Sequence, residues 1–146
     1  MTAKTVPDYR LNPIRKFLYL AEMYILYFLI AFHLRRYGLK ESVALCTKLH
    51  PQKKTPSAET TEQFVLLIRD LTHSVLRWHL LPTSCVPDSL LPCWFLARRG
   101  IKADFVIIVR HHPFMAHAQA FWNEMLLTDP PPELSVPGKY VTLMRK

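Results

Sequence analysis

The chain has 146 residues, half of them hydrophobic and 21% charged, with 12 prolines against 3 glycines. That length suits one core and excludes two comfortable domains, and the composition excludes a disordered chain. The formal charge of +8 biases the protein towards an anionic partner, whether nucleic acid, an acidic membrane surface or an acidic polypeptide.

Residues 17 to 32, FLYLAEMYILYFLIAF, are apolar apart from Glu22 and carry Arg15 and Lys16 on one side and His33, Arg35 and Arg36 on the other. This is the strongest helix signal in the chain. Sixteen residues cover about 24 Å as a helix, short of the roughly 30 Å of a bilayer's hydrocarbon, so a clean transmembrane span is not expected. The simplest reading is a helix buried on most faces. The alternative is a membrane-surface or partner-binding helix, since basic residues bracket both ends and aromatic side chains suit an interface. Residues 50 to 61, HPQKKTPSAETT, offer no apolar face and read as a linker.

From Thr61, the side chains Phe64, Leu67, Ile68, Leu71, Val75 and Trp78 recur at steps of three and four, an amphipathic helix running to about Leu80 before Pro82 stops it. Thr83 or Ser84 then caps a new helix, Pro87 is tolerated in its first turn, and Gly100 suits the left-handed position after its last. Pro92 conflicts with that helix and predicts a kink. The texture changes at ADFVIIVR (103 to 110). It and the runs FMAHAQAFW and EMLLTD, joined by a tight turn at Asn123 and Glu124, read as three consecutive strands, with KYVTLMR a fourth. Helices followed by an antiparallel sheet define an α+β fold. We divide it into an N-terminal helical extension and linker over 1–60 and a core over 61–146, compact as one unit.

Cys46, Cys85 and Cys93 form no paired framework and no CxxC occurs, so a reducing cytoplasmic setting is expected, with membrane association as the alternative for the apolar helix. Cys85 opens a predicted helix, His117 lies on the second strand and Asp129 ends the third. In a hairpin around 123 and 124 the facing residue numbers sum to about 247, which sets Asp129 opposite about 118, one residue from His117. A thiol becomes a useful nucleophile when a helix N-terminus and an imidazolium stabilise its thiolate. In that arrangement His117 takes the thiol proton and returns it to a leaving amine, while Asp129 fixes the imidazole tautomer. The backbone N–H of Cys85 is the natural oxyanion donor, and Pro87 provides none. On spacing alone a packed histidine and a core thiol are the better explanation of these residues.

The stretch CVPDSLLPCWFLARRGIKADFVIIVRHHPFMAHAQAFWNEMLLTD resembles the core of the transglutaminase-like superfamily branch that contains the leader peptidases of lasso peptide biosynthesis. The shared features are a cysteine opening a helix closed by Arg-Arg-Gly-Ile, a β-branched strand, an Ala-His-Ala strand and a closing strand similar to YVTL. The likeness runs over about residues 62 to 144. It implies Cys85 as nucleophile, His117 as general base and acid, and Asp129 as the orienting carboxylate. Gln119 stands where the family usually has Trp, and Asn123-Glu124 replaces a more glycine-rich hairpin.

The resemblance implies a cysteine endopeptidase that removes the leader from a ribosomally made lasso precursor, with no cofactor and no metal. The first 60 residues offer no strands for a leader-reading domain, so the split arrangement is expected. Its partners are then the precursor's leader peptide, a separate PqqD-like recognition protein and an asparagine-synthetase-like cyclase. A non-catalytic peptide-binding protein of the same fold is the main alternative. Nucleic acid is not expected, because the aromatics sit in apolar runs and do not interleave with Lys and Arg. A metal site is not expected either, for want of an HExxH helix or CxxC knuckles.

Overall fold

The computed structural model describes residues 12–52, 57–78, 80, 84–110, 114–128 and 140–146. Three helices come first in the chain: α1 (Pro13–Thr47), α2 (Ala58–Trp78) and α3 (Cys85–Ala97). The strands β1 (Asp104–Arg110), β2 (Met115–Trp122), β3 (Met125–Leu126) and β4 (Tyr140–Arg145) follow. They form one antiparallel sheet in the order β3-β2-β1-β4. The α+β class expected from the sequence is therefore the observed one.

The helix at 17 to 32 is the middle of the longer α1. Asn12 caps it by accepting the Ile14 amide at 3.1 Å, with Pro13 at the first helical position, where its missing N–H has no consequence. Gly38 interrupts it with φ 83° and ψ 180°, a backbone region in which only glycine is at ease. Across this break the Ser42 hydroxyl donates to the Gly38 carbonyl, and its oxygen lies 2.8 Å from His33 Nδ1. One face of α1 is buried, through Met23, Leu26, Tyr27 and Ile30, mainly against α3. The opposite face, including Phe17, Ile25 and Phe32, is exposed, which corrects the expectation of burial on most faces.

Helix α2 begins inside the segment read as a linker, at Ala58. Val65, Ile68, Leu71 and Val75 enter the core, with Phe64 and Leu67 half-buried beside them. Trp78 does not: it ends the helix and is 76% exposed. Tyr19, Phe64 and Phe95 form an aromatic cluster with centroids 5.6 to 6.5 Å apart. Arg99 lies over the Phe95 ring at 3.7 Å and donates to Glu22 at 2.7 Å, closing the α1–α3 interface with a partly buried charge pair.

Helix α3 runs unbroken from Cys85 to Ala97 with Pro92 inside it. Its end is tightly fixed. The amides of Gly100 and Ile101 donate to the carbonyls of Ala97 and Leu96, a Schellman closure with Gly100 at φ 73°. The chain after α1 then supplies further partners, His50 N–H to Ala97 O at 3.0 Å and the Gln52 side-chain amide to Arg98 O at 3.2 Å.

Ile101 leads into β1, whose register with β2 places Phe105 beside Ala120 and Ile108 beside His117. The hairpin turns at Asn123 and Glu124 with φ 46° and 66°, the left-handed pair of a type I′ turn. Phe121 faces Leu126 and Trp122 faces Met125, the register expected from the sequence. β3 is shorter than expected. The pairing continues as Leu127 N–H to Ala120 O, and the Thr128 hydroxyl then accepts the Ala120 amide in place of a further ladder bond.

Candidate active site

The first turn of α3 is built by an uncommon set of residues. Ser84 has the extended backbone of an N-cap but makes no side-chain capping bond. A capping hydroxyl accepts from the second or third helical amide, and the third position is Pro87, which has no N–H. The Asp88 amide instead donates to Ser84 O at 3.1 Å. Among the described residues the amides of Cys85 and Val86 donate to no other group. Two backbone donors thus remain at the positive end of the helix dipole, beside the thiol.

Cys85 is half-buried and free, whereas Cys46 and Cys93 are buried and free. Burial pushes the Cys46 thiol up to about 12, and burial with the nearby Cys46 and Asp104 raises that of Cys93 further. Those two are core thiols.

Cys85 and His117 line the same cavity, of about 650 Å³. Its α3 wall carries Cys85, Asp88 and Ser89, at the i, i+3, i+4 spacing that shares one helix face. His117 and Ala118 of β2 and Thr128 beyond β3 form a second wall. The C-terminal half of α2 supplies a third, with His73, Ser74, Arg77 and Trp78. The His117 Nε2 atom is buried. Asp129, the expected orienting carboxylate, lies outside the described residues, as do His111 and His112; Thr128 is the last described residue before Asp129.

Asp88 accepts a hydrogen bond of 2.8 Å from the hydroxyl of Tyr27, which α1 brings to the α3 face from 61 positions away. Burial raises the Asp88 carboxyl above its ordinary range, against the opposing effects of that hydrogen bond and of the Ser84 backbone. Burial first, then the bond to Asp88, also raises the Tyr27 phenol. Ser89 is 1% exposed, and its hydroxyl has no partner among the described residues. Sequence reasoning missed Asp88, Ser89, His73 and Tyr27. The helical spacing from Cys85 could have marked the first two, but nothing local marks Tyr27.

Basic residues could attract an acidic leader, but Arg98 and Arg99 are engaged by Glu22, at 3.4 and 2.7 Å. Lys53 and Lys54 lie outside the described residues. No group of three or more His, Cys, Asp or Glu that could hold a metal ion occurs among the described residues.

A cysteine in the first turn of a helix and a histidine on a neighbouring antiparallel strand, sharing one cavity, form the framework of a papain-like or transglutaminase-like thiol site. The comparison with known families agrees: the profile of the transglutaminase-like superfamily matches residues 25–140, and the chain belongs to that superfamily, which includes cysteine proteases. The match begins within α1, so it takes in part of the N-terminal extension as well as the sheet. No curated protein and no solved structure gives a significant match.

Proposed function

We propose that the protein is a cysteine endopeptidase that cuts the leader from a ribosomally made lasso peptide precursor, with Cys85 as nucleophile, His117 as general base and acid, and Asp129 as the group that orients His117. The observation that carries the peptidase reading is the shared cavity of Cys85 and His117 at the amide-bearing end of α3. The precursor class rests on the resemblance of residues 62 to 144 to the lasso leader peptidases.

In this mechanism His117 removes the Cys85 proton as sulfur attacks the scissile carbonyl, giving a tetrahedral oxyanion. The amides of Cys85 and Val86 receive that charge without needing to reorient. Collapse of the adduct breaks the C–N bond, His117 protonates the departing amine of the core peptide, and the leader stays on Cys85 as a thioester. His117 then draws a proton from water, whose oxygen displaces sulfur and frees the leader's new carboxylate. Arg77 and Trp78 of the α2 wall line the same cavity and are the residues there that an extended chain would meet. No metal or cofactor enters the steps. A PqqD-like protein presents the leader, and a cyclase consumes the liberated amine.

The test is mass spectrometry of a precursor peptide incubated with the protein and its recognition partner. Wild type releases the leader; Cys85→Ala and His117→Ala lower the rate by at least about a thousandfold, and Asp129→Asn lowers it less. Leader release by Cys85→Ala at the wild-type rate contradicts the assignment of Cys85 as nucleophile and leaves it a core thiol at a helix start.

A further inference from the structure

The outward face of α1 is apolar over most of its first half. Ile14, Phe17, Leu18, Ile25, Leu29 and Phe32 are all exposed, Phe17 at 69%, Ile25 at 61% and Phe32 at 66%. Their spacing keeps them on one side of the helix for about 27 Å, the rise of the eighteen steps from Ile14 to Phe32. The Tyr24 hydroxyl donates to Trp78 O and accepts the Leu80 amide, which anchors two further exposed apolar residues beside this face. By length and composition α1 passes as a membrane span, with 22% of its most apolar window buried inside the protein.

Charge decides what covers the face. Between Pro13 and Lys40 the one acidic residue is Glu22. It is turned inward and bound by Arg98 and Arg99. Arg15 and Lys16 at one end and Arg35, Arg36 and Lys40 at the other are exposed, and none has an ion pair among the described residues. A second copy packed on this face, parallel or antiparallel, sets cations against cations at both ends. A bilayer with anionic headgroups satisfies the apolar stripe and both basic ends together. Spanning is excluded by the other side of α1, which carries the Glu22–arginine pairs and the Tyr27–Asp88 bond that hold it to α3.

We propose that α1 docks the protein on an anionic lipid surface, lying in the membrane plane with Phe17, Ile25 and Phe32 inserted and its basic ends on the headgroups. The surface does not include Cys85 or His117, so this inference stands or falls independently of the peptidase reading.

Sedimentation of the full chain with vesicles of phosphatidylcholine, with and without phosphatidylglycerol, tests it. Binding is expected to the phosphatidylglycerol vesicles and to fall steeply with salt. Arg35→Gln with Arg36→Gln weakens it about thirtyfold, at about 1 kcal/mol per basic residue. Ile25→Ser with Phe32→Ser weakens it at least about tenfold. Both pairs leave the melting temperature and any leader cleavage in detergent-free solution unchanged. Equal binding to both vesicle types, or to neither, overturns the proposal. So does a dimer, seen by light scattering without lipid, that Ile25→Ser with Phe32→Ser abolishes; the face then belongs to a second copy. Lipid-independent binding of an acidic protein to this face, with no vesicle binding, likewise overturns it.

Discussion

At the scale of single residues, the three thiols show how placement divides one chemistry into two roles. Cys46 and Cys93 sit where burial disfavours a thiolate, whereas Cys85 is half-buried at a helix start with a histidine across the cavity. Asp88 presents the converse problem, a carboxyl one helical turn from the nucleophile. An ionised Asp88 would oppose a thiolate there, and burial raises the proton affinity of this carboxyl. The same shift links Asp88 to stability. Because the folded chain holds this proton more tightly than the unfolded one, the contribution is full below the ordinary value of 3.8 and is lost as pH rises through the folded value. Asp88→Asn keeps an oxygen for the Tyr27 hydroxyl and has no proton to lose. Urea unfolding from about pH 4 to about pH 7 is therefore expected to show a smaller decline in stability for the variant than for wild type. Equal pH slopes contradict this account of Asp88. Local pattern in the sequence did not by itself single out Cys85 and His117; the family resemblance of the stretch that carries them did, and the fold brings both to one cavity. The Tyr27–Asp88 bond was not legible in the sequence, since it joins helices 61 positions apart.

At the scale of elements, local chemistry forecast boundaries well where one residue type dictates a backbone shape. Gly100 closes α3 at φ 73°, and Asn123 with Glu124 turns the hairpin in the register expected. Helix α3 continues past Pro92, with Leu90, Leu91, Cys93 and Phe95 buried around it. Forecasts failed where neighbouring chemistry outweighs local preference. Ser84 did not make its capping bond, and Pro87 removes one of the two amides that a cap accepts from. The Ala58 start of α2 was hidden by the polar run before it. Gly100 supports the most direct test at this scale. A Cβ added there would lie 2.7 Å from Gln52 Cγ and 3.1 Å from His50 O, besides the cost of a positive φ. Gly100→Ala is expected to lower stability by about 2 kcal/mol, read by chemical denaturation. A change within error of zero contradicts the closure described here.

At the scale of the whole molecule, α1 has two roles that its sequence does not separate. One face builds the core and sends the Tyr27 hydroxyl to Asp88, and the other is free for a surface. An apolar run without clear periodicity shows that a helix exists but not which side faces inward, which explains why the exposed stripe emerged only from the fold. The α3 start and β2 are likewise brought to one cavity only once α1, α2 and the sheet have packed around α3. The central claim is that this packing activates Cys85 through His117. It is tested most directly by the rate of iodoacetamide alkylation at each cysteine of the native protein, mapped by peptide mass spectrometry, for wild type and His117→Ala. The account predicts fast modification of Cys85 near neutral pH, protection of Cys46 and Cys93, and a loss of at least about tenfold in the Cys85 rate in His117→Ala. A Cys85 that reacts no faster than a free cysteine peptide, at a rate indifferent to His117, would contradict it.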